Sequence, residues 1–451
     1  MRLFARDALL PTGWARDVLV DVGPDGSIHG VDVAFERPSD AEHLQGPLVP
    51  GMPNVHSHAF QRALAGLTER GGPRGDDFWT WRTQMYRFLE RLGPDDCEAI
   101  ATQLYLEMLK AGYTSVGEFH YLHRDPAGQP YANPAEMALR IQAAAEATGI
   151  ALTLLPVFYA HSDFGGAPPL PGQRRFVHDA RSFRALLESL ALDGFKLGVA
   201  PHSLRAVAPE ELAEIVAFAR AVDEDAPIHI HAAEQRREVE DCLAWSGARP
   251  VEWLLEHADV GPQWCVVHAT HMTEAETQRL ARSGAVAGLC PTTEADLGDG
   301  VFPTAAYVAA GGRFGVGGDS HVGVDPFLEL RLIEATQRLA LERRNVLARD
   351  GESTGLALYQ AALAGGAQAL AQPVGAIEIG RRADLVVLDG EDPALTEQAA
   401  ANLLDAAIFG PARSTVRDVM VAGRWVIGEG HHADEEAILT RYRQTVRRLL
   451  A

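Results

Sequence analysis

From roughly Leu48 to Pro373, short apolar runs alternate with stretches rich in Ala, Leu, Glu and Arg. TLLPVFY, LGVAP, PIHIHAA, CVVHAT, AVAGLCP and FGVGGDS are the runs, and helical spacing fills the gaps between them. Strand followed by helix, repeated about eight times over such a length, is the pattern of a closed (β/α)8 TIM-like barrel. An open doubly wound sheet is the competing layout, and no GxGxxG opens a helix to support it. The two ends of the chain have a different rhythm. ARDVLVDVGPDGSIHGVDVAF alternates apolar and polar residues around a Gly-Pro-Asp-Gly turn, and TVRDVMVAGRWVIGEG repeats that pattern with Gly423 and Arg424 at a hairpin tip. The reading is therefore an α/β chain with a barrel over 49–373. A small β-sandwich domain is built from 1–48 and 374–451, the latter ending in a terminal helix.

Composition narrows the class. A chain of 451 residues is long for a single core, and a hydrophobic content of 47% with no uninterrupted apolar stretch of membrane-spanning length argues for a globular protein outside the membrane. The N-terminus places Arg, Asp and Pro where a signal peptide needs an apolar segment, and Cys97, Cys242, Cys265 and Cys290 form no CxxC, so a reducing, cytoplasmic setting is expected. A formal charge of −21 repels phosphate backbones, which excludes nucleic acid as a partner. Apolar helical surfaces make a homodimer the default assembly.

In a barrel of this kind chemistry gathers where the strands end. His56 and His58 follow the first strand, His231 ends PIHIHAA, His268 lies in CVVHAT and Asp319 in FGVGGDS. Residues two apart on a strand face the same way, about 7 Å along the backbone, so His56 and His58 aim at one point. A single histidine at a strand end is ordinarily a satisfied polar residue; five candidate ligands at four strand ends argue for a metal. Imidazole nitrogens with a carboxylate oxygen suit Zn²⁺ best, and Fe²⁺ or Mn²⁺ also fit by ligand type. His229 shares the strand face of His231 at a deeper level and reads as a packed, hydrogen-bonded side chain.

These positions resemble the amidohydrolase superfamily, whose pattern is His-x-His after strand one, His after strands five and six, and Asp after strand eight. The resemblance implies that His56, His58, His231 and Asp319 hold one divalent metal, with His268 beside it. Many relatives hold a second metal through a lysine after strand four. Lys196 is the lysine near that strand, but it precedes His202 by six residues, roughly 20 Å toward the opposite end of the barrel. Glu234, three residues after His231, matches the HxxE of the mononuclear deaminases if the chain turns helical there. A bound divalent metal lowers the pKa of water from about 15.7 toward about 7. The resemblance then places Asp319 and His268 to accept a proton, and Glu234 to carry one to a departing amine.

Within the superfamily, HSHAFQRALAG, FWTWRTQMYRF, GEFHYLH, LGVAPHSLRAV and CPTTEADLGDG resemble the formimidoylglutamate deiminases of histidine degradation. Their small-molecule substrate, N-formimino-L-glutamate, has two carboxylates and a formimino group that is cationic at neutral pH. Such a ligand needs two anion receptors and one carboxylate. Gln61, Arg82 and Tyr121 are expected at one carboxylate, His202 and Arg205 at the other, and Glu234 at the cationic group. The aromatic cluster around Arg82 reads either as a core-facing helix or as a lid. A deaminase of nucleobases or other aminated heterocycles is the rival enzyme, although a neutral ring leaves two arginines unpaired. A non-catalytic barrel scaffold is the rival outside enzymes, and it has no need of the metal set.

Overall fold

A computed structural model of the chain describes all residues except 34–37, 72–74, 191–195 and 411–412. Its inner layer is a ring of parallel strands: β1 (Met52–Ser57), β2 (Tyr113–His120), β3 (Ala151–Phe158), β4 in two pieces (Lys196–Leu197 and Ala200–Pro201), β5 (Ile228–Ala232), β6 (Trp264–His268), β7 (Val286–Leu289) and β8 (Arg313–Val316). β1 lies between β2 and β8, and the ring closes where β4 meets β5 through the parallel bridges Val199–Ile228 and Ser203–His231. This is the expected (β/α)8 barrel. Strands covered on both faces read as continuous apolar runs, which is why β3 and β5 to β8 stand out in the sequence. β2 does not. Its sequence YTSVGEFH is buried throughout, yet it has Thr, Ser, Glu and His in the barrel wall.

Both pieces of β4 pair with β3, and the residues between them bond to neighbours on both sides. The Gly198 amide donates to the Leu154 carbonyl of β3 at 2.9 Å, and the next amide, Val199, donates to the Pro227 carbonyl at 3.0 Å. Helix Thr354–Ala369 lies hard against β8: a Cβ at Gly365 would stand 1.9 Å from the Phe314 carbonyl oxygen. Only glycine permits that approach. The carbonyls of Ala369 and Leu370 at its end accept hydrogen bonds from His229 Nε2 (2.8 Å) and Thr153 Oγ1 (3.0 Å). His229 is thus bonded to backbone, as its sequence position suggested.

The second sheet draws on both chain ends. Leu48–Pro50 is the strand that joins them: it pairs parallel with Ala8 on one side and antiparallel with Leu385–Leu388 on the other. Leu3, Ala5, Ala8 and Leu10 of the first strand and the alternating Val18, Val20 and Val22 of the second form a core with Leu385, Val387 and Met420, separate from that of the barrel. The first alternating run reads on through positions 34 and 35, which lie outside the described residues. The C-terminal hairpin turns at Ala422 and Gly423, with Arg424 already paired to Val421, one residue earlier than expected. Both turn residues have positive φ (48° and 73°), the requirement of a tight two-residue hairpin, and Ala422 accepts the left-handed conformation there. Among the described residues no helix is long and apolar enough to cross a membrane.

Candidate metal centre and substrate cavity

The ends of β1, β5 and β8 bring three imidazoles and a carboxylate to one point. His56 Nε2 lies 3.2 Å from His58 Nε2 and 3.1 Å from His231 Nε2, and Asp319 Oδ1 lies 3.5 Å and 3.2 Å from the first two. Four donors at about 2.0–2.1 Å from a tetrahedral zinc stand about 3.3 Å from one another. The four separations measured here, all of which involve His56 or His58, are close to that edge length. The far sides of the rings agree: His58 Nδ1 is 2.9 Å from the Phe119 carbonyl and His231 Nδ1 is 2.9 Å from the His202 carbonyl. A carbonyl partner requires N–H at Nδ1, which leaves the Nε2 lone pairs facing the shared centre. Burial pushes all three histidines below the ordinary imidazole range, His56 and His231 furthest, so the neutral, ligating form is favoured.

His268 stands next to this group. Its Nε2 is 3.8 Å from Asp319 Oδ2 and 3.8 Å from Glu234 Oε1, and its Nδ1 is 3.2 Å from Glu294 Oε1. Burial opposes its charge, but Glu234, Glu294 and Asp319 together raise it to about 10. Glu294 was not singled out from the sequence, although it sits in CPTTEADLGDG. Burial in turn pushes Glu234 up to about 7, against the pull of His268 and Arg205. Glu234 does not reach the site by a helical turn as expected. Ala233 turns the chain with a φ of 52°, and the helix begins only at Arg236. His268 (66°), Ala269 (50°), Asp319 (48°) and His321 (60°) share that left-handed conformation. Each costs about 1–3 kcal/mol in a non-glycine residue, and their concentration at three strand ends marks a functional rim.

Above the donor cluster is a cleft of about 540 Å³, part of it open to solvent. Gln61, Arg82, Tyr121, His202 and Arg205 all line it, together with His58, His231, Glu234, His268 and Asp319. His56 lies beneath. Helix Phe78–Leu89 forms the roof, started by Asp77, whose side chain accepts from the Trp79 and Thr80 amides at 3.0 Å. Its residues Phe78, Trp81, Arg82, Met85 and Tyr86 face the cavity at the i, i+3, i+4, i+7, i+8 spacing of one helical face. The aromatic cluster around Arg82 thus covers the site, and the Arg82 guanidinium lies 4.4 Å from the Trp79 ring centre.

On the walls, Gln61 Nε2 donates to the Tyr121 hydroxyl at 2.7 Å, and Gln61 Oε1 has no hydrogen-bond partner among the described residues. The His202 ring packs edge-on to Tyr159 at 4.7 Å. Arg205 is buried, with Nη2 4.0 Å from Glu234 Oε2 and Nε 4.0 Å from Glu238 Oε1. Tyr86, Tyr159 and Glu238 were not anticipated. Gln173 ties the tyrosines together, donating to the Tyr159 hydroxyl at 2.7 Å and reaching the Tyr86 hydroxyl at 3.5 Å. Lys196 is far from all of this, its Nζ 2.7 Å from Asp223 Oδ2.

The chain is similar to known proteins over nearly its whole length. The profile of the amidohydrolase family matches residues 48–426. A formimidoylglutamate deiminase from Pseudomonas aeruginosa is 53% identical over 454 aligned positions, covering 99% of each chain. Among solved structures, an amidohydrolase from Brucella melitensis matches over 100% of both chains with a TM-score of 0.94 and 48% identity. A zinc-bound adenosine deaminase from Xanthomonas campestris shares the fold at a TM-score of 0.82 and 22% identity, over 100% of this chain and 98% of its own.

Proposed function

The chain belongs to the amidohydrolase family, and from that premise we infer that it hydrolyses N-formimino-L-glutamate to N-formyl-L-glutamate and ammonia, the deimination step of histidine degradation. The observation that carries this reading is that both sets of expected carboxylate receptors and Glu234 line one cavity, directly above His56, His58, His231 and Asp319. We assign His56, His58, His231 and Asp319 as ligands of one divalent metal, zinc by donor type and spacing. Such an ion supplies the Lewis acidity that makes water a nucleophile at neutral pH. The chain's own groups do the rest. Arg205 with His202, and Arg82 with Gln61 and Tyr121, hold the two substrate carboxylates and so fix the formimino carbon over the cluster. Glu234 meets the cationic nitrogen as a charge-assisted partner.

Water adds across the C=N bond, the bond from carbon to the terminal nitrogen breaks, and the carbon keeps the oxygen as a formyl group. We assign Asp319 Oδ2, the oxygen turned toward His268, to take up the water proton, with His268 beside it to share that proton and steady the developing charge. Glu234 carries a proton to the nitrogen that departs as ammonia. The roof helix limits water entry while this happens. We place the enzyme in the cytoplasm, where its four buried free cysteines stay reduced, and as a homodimer, for which Leu339 at 82% exposure offers an apolar contact.

The test is ammonia release by purified, metal-analysed protein supplied with N-formimino-L-glutamate, with mass spectrometry of the organic product. N-formyl-L-glutamate is expected. Deamination of guanine, cytosine or adenosine by a metal-replete protein inert toward the formimino acid would overturn the reading.

A further inference from the structure

Arg205 is held between two carboxylates of unequal duty. Glu234 faces the reaction centre, whereas Glu238, 1% exposed, lies in the first turn of helix Arg236–Ser246. Glu238 Oε2 accepts the backbone amide of Glu234 at 3.0 Å, while its Oε1 stands 4.0 Å from Arg205 Nε. Both Glu238 Oε1 and Arg205 Nε are buried without a hydrogen-bond partner among the described residues. A buried guanidinium with a free N–H, attracted equally at 4.0 Å by two carboxylates, is compensated in charge but not locked to either. Glu234 has to leave Arg205 for the substrate nitrogen, and Glu238, bonded to the main chain, does not.

We propose that Glu238 is a positioning residue: it acts as the permanent counter-ion of Arg205, so that Arg205 can take a substrate carboxylate while Glu234 is released to the reacting nitrogen. The inference rests on the assignment of Arg205 to a carboxylate receptor. Without the Glu238 charge, Arg205 leans on Glu234 alone and holds it away from its work. Ground-state binding of a carboxylate survives that change, but turnover does not. A purely structural role, that of a helix-terminal acceptor for the Glu234 amide, is preserved by glutamine, whose side-chain carbonyl accepts the same bond.

The experiment compares wild type and Glu238→Gln for kcat and KM with N-formimino-L-glutamate, for calorimetric affinity toward N-formyl-L-glutamate, and for metal content. Expected is a loss of kcat of about tenfold or more, with metal content intact and product affinity unchanged or tighter within about threefold. Native kinetics would reduce Glu238 to a helix cap, and a weakened product affinity with normal kcat would make it part of the receptor; either result overturns the proposal. Glu238→Asp keeps the charge if the glutamine variant does not fold, and kcat within about threefold of wild type is then required, a tenfold loss overturning the idea. The same wild-type assay separates the two levels of inference. Absence of wild-type turnover removes the substrate assignment and this proposal with it, whereas an active wild type with an indifferent variant removes only the role of Glu238.

Discussion

The two ends of the barrel treat charge in opposite ways. Where the strands end, His56, His231, His268, Glu234 and Asp319 are at most 5% exposed and meet one another at 3.1–3.8 Å, and Arg205 is nearly as deeply buried. Where β4 begins, Lys196 meets Asp223 at 2.7 Å with a quarter of the lysine side chain and more of the aspartate in water. The second arrangement is an ordinary partly solvated ion pair and contributes little. The first costs desolvation energy, and it adds five left-handed non-glycine residues nearby. Titratable groups buried together in a cleft are the mark of a functional site.

The sharpest way to break this contrast is to remove a donor from the buried end. His231→Ala deletes one corner of the cage and the Nδ1 contact to His202; metal content by elemental analysis should fall to a small fraction of one ion per chain, and kcat by about 10⁴-fold or more. Retention of a full metal complement would take His231 out of the ligand set. Glu234→Gln should act on the chemistry alone. Removing a proton carrier costs about 10²–10⁴-fold in kcat, and because Gln keeps the shape, metal content and affinity for N-formyl-L-glutamate should be preserved. An active Gln variant ends the proton-carrier assignment.

Arg205→Ala sharpens the contrast on its ligand side. Loss of one partner of a buried carboxylate pair costs about 2–5 kcal/mol, so kcat/KM should drop by roughly 30-fold to several thousandfold with metal intact. Arg82 stands at the junction between the buried and the solvated, half-buried on the roof helix and stacked on Trp79. Arg82→Ala is accordingly expected to be milder, about ten- to thirtyfold in kcat/KM and mostly in KM. An unchanged KM would show that the roof covers the cavity without gripping the substrate.

What the sequence reveals follows the same division. The strands β3 and β5 to β8 were readable because a wall packed on both faces is apolar, and the strand ends gave the histidines and Asp319 because the barrel rule says where side chains meet. β2 escaped notice for a physical reason. Its Glu118 is buried to receive Ser57 Oγ, the Ala59 amide at 2.8 Å and the Tyr105 hydroxyl at 3.2 Å, steadying the segment that carries His56 and His58, so its sequence is polar where a wall strand should be apolar. Glu238 and Glu294 are similarly invisible, since a glutamate in the first turn of a helix looks like a solvated dipole partner until its burial is known. The roof helix had a legible period, but period alone does not say whether an apolar face covers a core or a cavity.

The smallest effect belongs to the solvated end. If a lysine of β4 served a second metal, Lys196→Ala would lower metal content and kcat together. The geometry points the other way: Nζ is bonded to Asp223 Oδ2 at 2.7 Å and lies 3.5 Å from the Asp225 carbonyl, on the side where β4 starts, whereas the donor cluster lies beyond its end at His202 and Ser203. Replacing the lysine should leave one metal per chain and kcat/KM within about twofold, and lower stability by no more than about 1 kcal/mol, the ceiling for a pair this open to solvent. Denaturant midpoints and elemental analysis of the same preparation measure both quantities. A variant that lost metal would mean that the partly solvated end of the barrel reaches the catalytic one, which no contact of Lys196 in the described structure supports.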